Sequence, residues 1–120
     1  MEATGLLLSD DLIFNSRILG TARDLGLSMK GVRTPAELAE RTRRDGAACV
    51  IVDLANPGLS IAELMDDLRE VGVRVVAYGP HVDAAALRAA REAGCDVVLP
   101  RSKFVEELPG KLAEWFRPRC

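Results

Sequence analysis

Ala47-Ala48-Cys49-Val50-Ile51-Val52 is an unbroken apolar run that ends at Asp53. A run of this length without polar alternation is typical of a strand buried on both faces, as in parallel sheets covered by helices. An acid that ends such a strand is expected at the carboxyl edge of the sheet, where parallel α/β folds place their sites. The run therefore predicts a parallel α/β fold with a site at Asp53.

A second apolar run, Leu6-Leu7-Leu8, ends in the same way and leads into Ser9-Asp10-Asp11. If the two strands are neighbours, the carboxylates of Asp10, Asp11 and Asp53 meet on one small patch. Like charges at that distance repel, so the cluster predicts a bound cation. A simpler interpretation also stands, in which Asp10 and Asp11 cap the first helix and Asp53 is an ordinary turn residue.

Strand-like and helix-like segments alternate five times along the chain. This pattern predicts a flavodoxin-like (βα)5 fold, a doubly wound parallel sheet in three α/β/α layers with strand order 2-1-3-4-5. Capping boxes at Thr34-Pro35-Ala36-Glu37 and Ser60-Ile61-Ala62-Glu63 predict two of the helix starts. In the last helix, Pro109 predicts a kink or a late start near Leu108.

Size and charge limit the classes of function. A chain of 120 residues with 48% hydrophobic residues fits a single domain, expected over residues 1–120 with no output domain. Its 16 basic and 18 acidic residues are mixed along the sequence, which argues against general nucleic-acid binding and a polybasic membrane anchor. The apolar stretches are strand-sized, so we expect no membrane-spanning helix.

Cysteine usage and the start of the chain bear on location. The three cysteines, Cys49, Cys95 and Cys120, show no C-x-x-C spacing, which fits a reducing compartment. The first residues, Met1-Glu2-Ala3-Thr4, lack the basic region of a signal peptide. A cytoplasmic protein is therefore expected.

Three motifs in this order make the sequence resemble the receiver domain of a two-component response regulator, of the chemotaxis-regulator type. They are the Asp10-Asp11 pair, Asp53-Leu54-Ala55-Asn56-Pro57-Gly58, and Ala93-Gly94-Cys95-Asp96 before the fifth strand. The resemblance implies that a histidine kinase phosphorylates Asp53. It also implies that Asp10, Asp11, Asp53 and the backbone carbonyl of Ala55 hold Mg²⁺, which prefers octahedral oxygen ligands.

The chain departs from the receiver pattern where that pattern reads the phosphoryl group. Gly79 stands at the position of a serine or threonine hydroxyl, and Pro80 after it has no N–H. Arg101 stands at the position of a lysine and Ser102 at that of a proline, while Val98 stands at the aromatic switch position. The resemblance therefore predicts an atypical receiver or pseudo-receiver.

Two nearby side chains are weaker substitutes for the missing groups. Tyr78 carries a hydroxyl, but this group lies too far from its backbone to replace a threonine simply. Lys103 could reach back to the site only if the loop allowed it. On these grounds the acidic pocket is expected to remain while the groups that convert phosphorylation into a conformational change are lost.

The leading functional hypothesis is a stand-alone signalling module that works through a protein partner and is not an enzyme beyond phosphotransfer to Asp53. The resemblance to receivers implies that the fourth helix, the fifth strand and the fifth helix form the surface that binds a partner or a second copy of the chain. Two alternatives remain. One is a conventional Mg²⁺-dependent phosphoacceptor, and the other is a small flavodoxin-like enzyme or cofactor-binding domain.

Overall fold

A computed structural model describes residues 3–117 and contains five strands that alternate with five helices. The strands are β1 (Thr4–Leu8), β2 (Ser28–Val32), β3 (Cys49–Asp53), β4 (Arg74–Gly79) and β5 (Val97–Pro100). The helices are α1 (Leu12–Asp24), α2 (Pro35–Asp45), α3 (Ile61–Leu68), α4 (Ala84–Glu92) and α5 (Arg101–Trp115). All strand pairs are parallel and their order is β2-β1-β3-β4-β5, which confirms the predicted topology.

Helices cover the sheet on both faces because the central strands are apolar on both faces. Leu6, Leu8 and Val50 contribute to a core that also holds Leu38 of α2 and Leu64 of α3. The intervening strand positions form a second core, which packs against α1 and α5. Its members from the strands are Leu7, Cys49, Ile51, Val76 and Tyr78. Side chains alternate across a strand, so each strand serves both cores. This alternation also decides which residues face the site.

Two of the helices begin where the capping boxes predict. The Thr34 Oγ1 accepts a hydrogen bond from the Glu37 N–H at 3.1 Å, and Pro35 occupies the first turn of α2. The Ser60 Oγ accepts one from the Glu63 N–H at 3.3 Å at the start of α3. These side chains pair N–H groups that have no partner within the helix, so short local motifs were enough to predict both starts.

For the last helix, one of the two predicted alternatives, the late start, is contradicted. α5 begins at Arg101 and runs for 15 residues through Pro109, so the late start near Leu108 is wrong. A proline inside a helix costs about 3 kcal/mol because one backbone hydrogen bond is lost. Burying Phe104, Leu108 and Leu112 against the sheet outweighs this cost, since each buried side chain contributes about 1.5–3 kcal/mol. Within the described part of the chain, no helix is long and apolar enough to cross a membrane.

Cys49 predicts a loss of stability at high pH. The side chain is fully buried on β3, and burial raises the pKa of its thiol from 9.0 to about 12. The unfolded chain loses the thiol proton at lower pH than the native protein does. The contribution of this thiol to the free energy of unfolding is therefore fully present below about pH 9 and is lost as the pH rises toward 12. The expected loss is about 1 kcal/mol between pH 8 and pH 10. Urea unfolding at the two pH values measures it.

The matched control for this prediction is Cys49→Ala, which removes the titrating group. Other groups that titrate in this range, such as Cys95, remain in both proteins. The difference in slope between wild type and variant therefore belongs to Cys49. An equal decline in both proteins would contradict the prediction.

Candidate functional site

Asp53 is the last residue of β3 and lies at the carboxyl edge of the sheet, with only 2% of its surface exposed. Each of its carboxylate oxygens accepts a hydrogen bond from the protein. The Ser9 Oγ donates to Oδ2 at 2.9 Å, and the Ala55 N–H donates to Oδ1 at 2.9 Å. A buried carboxylate is costly unless it is hydrogen-bonded, and here the chain itself supplies a donor to both oxygens.

Ser9 is a site residue that the sequence analysis missed. Leu8 of β1 pairs with Val52 of β3, so the residues that follow them, Ser9 and Asp53, lie side by side. Ser9 is 6% exposed, and its Oγ also accepts a hydrogen bond from the Asp11 N–H at 3.1 Å. The hydroxyl thus links the start of α1 to Asp53. Ser9 and Asp53 each directly follow an apolar run in the sequence, and this shared position could have identified Ser9.

Asp11 is the N-cap residue of α1. Its Oδ1 accepts hydrogen bonds from the N–H groups of Ile13 and Phe14, both at 3.0 Å. Asp10 is exposed and takes part in no hydrogen bond or ion pair within residues 3–117. For Asp11 the helix-cap interpretation is the correct one, because α1 begins at the next residue and its free N–H groups need acceptors.

Within residues 3–117, no hydrogen bond joins Asp10 or Asp11 directly to the carboxylate of Asp53. Among residues 3–117, no group of three or more histidine, cysteine, aspartate or glutamate side chains is arranged to hold a metal ion. Mg²⁺ prefers several oxygen ligands in a regular octahedron, and the arrangement around Asp53 fits this requirement poorly. The metal-ligand roles of Asp10, Asp11, Asp53 and the Ala55 carbonyl stay predictions.

Gly79, the last residue of β4, is buried and crowded by Leu54. A Cβ atom at Gly79 would lie 3.3 Å from the Leu54 Cβ and 3.4 Å from its Cδ1. The side chain of Leu54 thus occupies the space into which a side chain at Gly79 would grow. A hydroxyl-bearing residue could be accommodated at this position only if Leu54 moved by a few tenths of an ångström.

Tyr78 faces the site from β4 and is fully buried. It pairs with Asp53 across the parallel strands, and register partners in a sheet point to the same face. Its ring stacks on Phe14 at 5.4 Å and on Phe104 at 4.4 Å between centroids, and Phe104 stacks on Trp115 at 5.9 Å. These four rings form an aromatic column that runs from the Asp53 pocket to the last turn of α5.

The Tyr78 hydroxyl adds a neutral polar group beside Asp53. Burial raises the pKa of Tyr78 above its ordinary value, the negative charge of Asp53 raises it further, and Ser9 and the positive charge of Arg101 act in the opposite direction. Within the described residues this oxygen has no hydrogen-bond partner of good geometry. Sequence reasoning set Tyr78 aside, yet its length is what lets a residue inside β4 influence the Asp53 pocket.

Arg101 does not pair with Asp53. It is the first residue of α5, and its guanidinium carbon lies 5.2 Å from the centroid of the Phe14 ring, a cation–π contact. Its Nε is buried without a hydrogen-bond partner among residues 3–117. Lys103 pairs with Glu106 at 3.6 Å and with Glu107 at 3.7 Å along the same helix. Neither cation at the start of α5 forms an ion pair with the acid in the described structure.

The backbone is similar to solved receiver domains at low sequence identity. A response regulator from Chloroflexus aurantiacus matches with a TM-score of 0.82 at 18% identity, over 97% of this chain and 98% of that chain. The receiver domain of the response regulator NarL from Mycobacterium tuberculosis matches with a TM-score of 0.81 at 17% identity, over 98% of both chains. The chemotaxis response regulator CheY4 of Vibrio cholerae matches with a TM-score of 0.76 at 13% identity, over 96% of this chain and 99% of that chain.

Sequence comparison alone does not reach these proteins. No protein-family model matches the chain, and no curated protein does. The strand order, the five βα units and the extent of the structural matches nevertheless agree over almost the whole chain. The chain has the fold of a response-regulator receiver domain.

Proposed function

We propose that this chain is an atypical receiver module of two-component signalling that acts through contacts with protein partners and does not depend on phosphorylation of Asp53. The observation that carries the proposal is the state of Asp53 itself. The residue is 2% exposed, and Ser9 and Ala55 each donate a hydrogen bond to one of its two carboxylate oxygens. A phosphoacceptor must present one of these oxygens to an incoming phosphorus atom, so this arrangement opposes the reaction.

The groups around Asp53 support the same proposal. A phosphoryl group brings about −2 charge and needs cations or N–H donors near its oxygens. Arg101 is held over the Phe14 ring, and Lys103 pairs with Glu106 and Glu107. Gly79 has no side chain to donate a hydrogen bond. A phosphoryl group on Asp53 would therefore find little compensation for its charge.

Exposed apolar side chains near the carboxyl edge of the sheet support a role in protein contacts. Leu12 and Ile13 at the start of α1 are 80% and 77% exposed, and Val82 in the loop after β4 is 80% exposed. Large apolar side chains exposed to this degree favour a surface that binds another protein. On α4, Ala85 and Ala89 are also exposed, which keeps α4, β5 and α5 as the candidate surface for a partner or a second copy of the chain.

Intact-mass measurement tests whether Asp53 accepts phosphate. The protein is incubated with Mg²⁺ and acetyl phosphate, beside Asp53→Asn as the matched control. We expect no phosphoryl adduct on either protein, because the Asp53 carboxylate is buried and hydrogen-bonded. A receiver domain that is readily phosphorylated by acetyl phosphate serves as the positive control.

A conventional phosphoacceptor is the second candidate, and the position of Asp53 at the carboxyl end of the central strand favours it. In that reaction an Asp53 oxygen attacks the phosphorus of acetyl phosphate, and acetate leaves with the electron pair of the broken P–O bond. The product is an acyl phosphate on Asp53. A stoichiometric phosphoryl adduct in wild type that is missing in Asp53→Asn would overturn the proposal of a phosphorylation-independent receiver and establish the conventional phosphoacceptor.

A further inference from the structure

We infer that Ser9 keeps the Asp53 pocket free of divalent cations, and that this one residue decides whether the pocket binds Mg²⁺. The hydroxyl of Ser9 occupies the position beside Asp53 where a second carboxylate would make a cation site. The inference rests on the proposed receiver-type pocket, but it concerns metal binding and is tested without any phosphodonor.

The first argument is the hydrogen bonding of Ser9. Its Oγ donates its only proton to Asp53 Oδ2 at 2.9 Å and accepts the Asp11 N–H at 3.1 Å. Both functions of the hydroxyl are therefore in use, and both bonds belong to the native fold. A cation bound to this oxygen of Asp53 would compete with the Ser9 proton for the same lone pairs.

The second argument is the number of carboxylates left for a metal. Asp11 Oδ1 accepts two N–H groups of α1, each at 3.0 Å, and Asp10 is exposed. Asp53 is then a single buried carboxylate whose oxygens already have donors. One carboxylate satisfied by hydrogen bonds gains little from a cation, because Mg²⁺ gives up its water ligands reluctantly.

The third argument concerns what an acid at position 9 would do. Ser9 and Asp53 lie side by side on one face of the sheet, and both are buried, at 6% and 2% exposure. Two carboxylates in this arrangement would repel each other unless one were protonated or a cation lay between them. The stability of the Ser9→Asp variant should therefore depend on Mg²⁺, whereas the stability of wild type should not.

Thermal unfolding with and without Mg²⁺ tests this inference. Wild type, Ser9→Asp and the neutral control Ser9→Asn are each melted in EDTA and in excess MgCl₂. The Tm of wild type and of Ser9→Asn should stay unchanged. The Tm of Ser9→Asp should be lower in EDTA and rise by about 5–6 °C when Mg²⁺ exceeds its dissociation constant about tenfold. A folded Ser9→Asp protein with the same Tm in EDTA and in MgCl₂ would overturn the inference.

A calorimetric titration of wild type with MgCl₂ decides the matter even if Ser9→Asp does not fold. We expect no saturable binding. Saturable binding in wild type that is lost in Asp53→Asn would show a native metal site and would overturn the inference. That result would leave the proposed function standing if no phosphoryl adduct forms on Asp53, so failure of either proposal is recognised separately.

Discussion

Replacing Tyr78 with alanine is expected to lower the free energy of unfolding by about 3–5 kcal/mol, a cost typical of deleting a buried aromatic side chain. The ring is fully buried and stacks on Phe14 and Phe104, so its removal breaks the aromatic column at its centre. The cavity would lie directly below the Asp53 pocket. Urea unfolding followed by far-ultraviolet circular dichroism measures the change.

Tyr78→Phe is the matched control because it keeps the ring and removes only the hydroxyl. That oxygen is buried without a hydrogen-bond partner of good geometry among residues 3–117, and an unsatisfied buried polar group costs stability. We expect the variant to be as stable as wild type or more stable, within about 1 kcal/mol. If Tyr78→Phe were as damaging as Tyr78→Ala, the stability would come from the hydroxyl and not from the ring.

Gly5→Val is expected to cost about 3 kcal/mol through overpacking. Gly5 is a buried residue of β1, and a Cβ at this position would collide with the tip of the Phe116 ring and lie 3.1 Å from its Cε1 and Cε2. Phe116 is 4% exposed and packs in the core against α1 and α5, so it has little room to move. Valine suits a strand better than glycine by up to about 1 kcal/mol, which is too little to offset the clash.

Gly110→Ala provides the control for Gly5→Val. Gly110 lies inside α5, and a Cβ there would meet nothing within 4 Å. Alanine is the better helix former, so this variant should gain about 0.5–1 kcal/mol. Opposite signs for the two substitutions in urea unfolding are the expected result. A neutral Gly5→Val would mean that Phe116 can leave its place at no cost.

Much of the fold could be predicted because its signals are local. Thr34 and Ser60 each begin a four-residue capping motif that predicts a helix start. The apolar run before Asp53 predicts the central strand without information from any distant residue. The exception is α5, where Pro109 suggested a late start. Burial of apolar residues on both sides of that proline, which depends on the sheet beneath, outweighed the local preference.

The candidate site was less accessible to sequence reasoning. Asp53 was recognised because a charge at the end of an apolar run is conspicuous. Ser9 was passed over beside two acids, although it makes the direct hydrogen bond to Asp53. Asp11 was assigned to the pocket, although its nearest unpaired donors belong to the helix that it caps. In each case the deciding partner is set by geometry that residue type alone does not reveal.

Periodicity and capping motifs predict the five βα units and an acid at the carboxyl edge of the sheet, because these follow from short-range patterns. Right-handed crossovers leave few strand orders, among which the observed order was the preferred prediction. Which side chains meet Asp53 depends on contacts between distant strands. The register of β1 on β3 brings Ser9 to Asp53, and the register of β4 on β3 points Tyr78 to the same face. The free N–H groups of Ile13 and Phe14 in α1 donate to the Asp11 carboxylate, which the sequence had suggested for the pocket. The pocket is therefore lined by hydroxyl groups where the sequence suggested a cluster of acids.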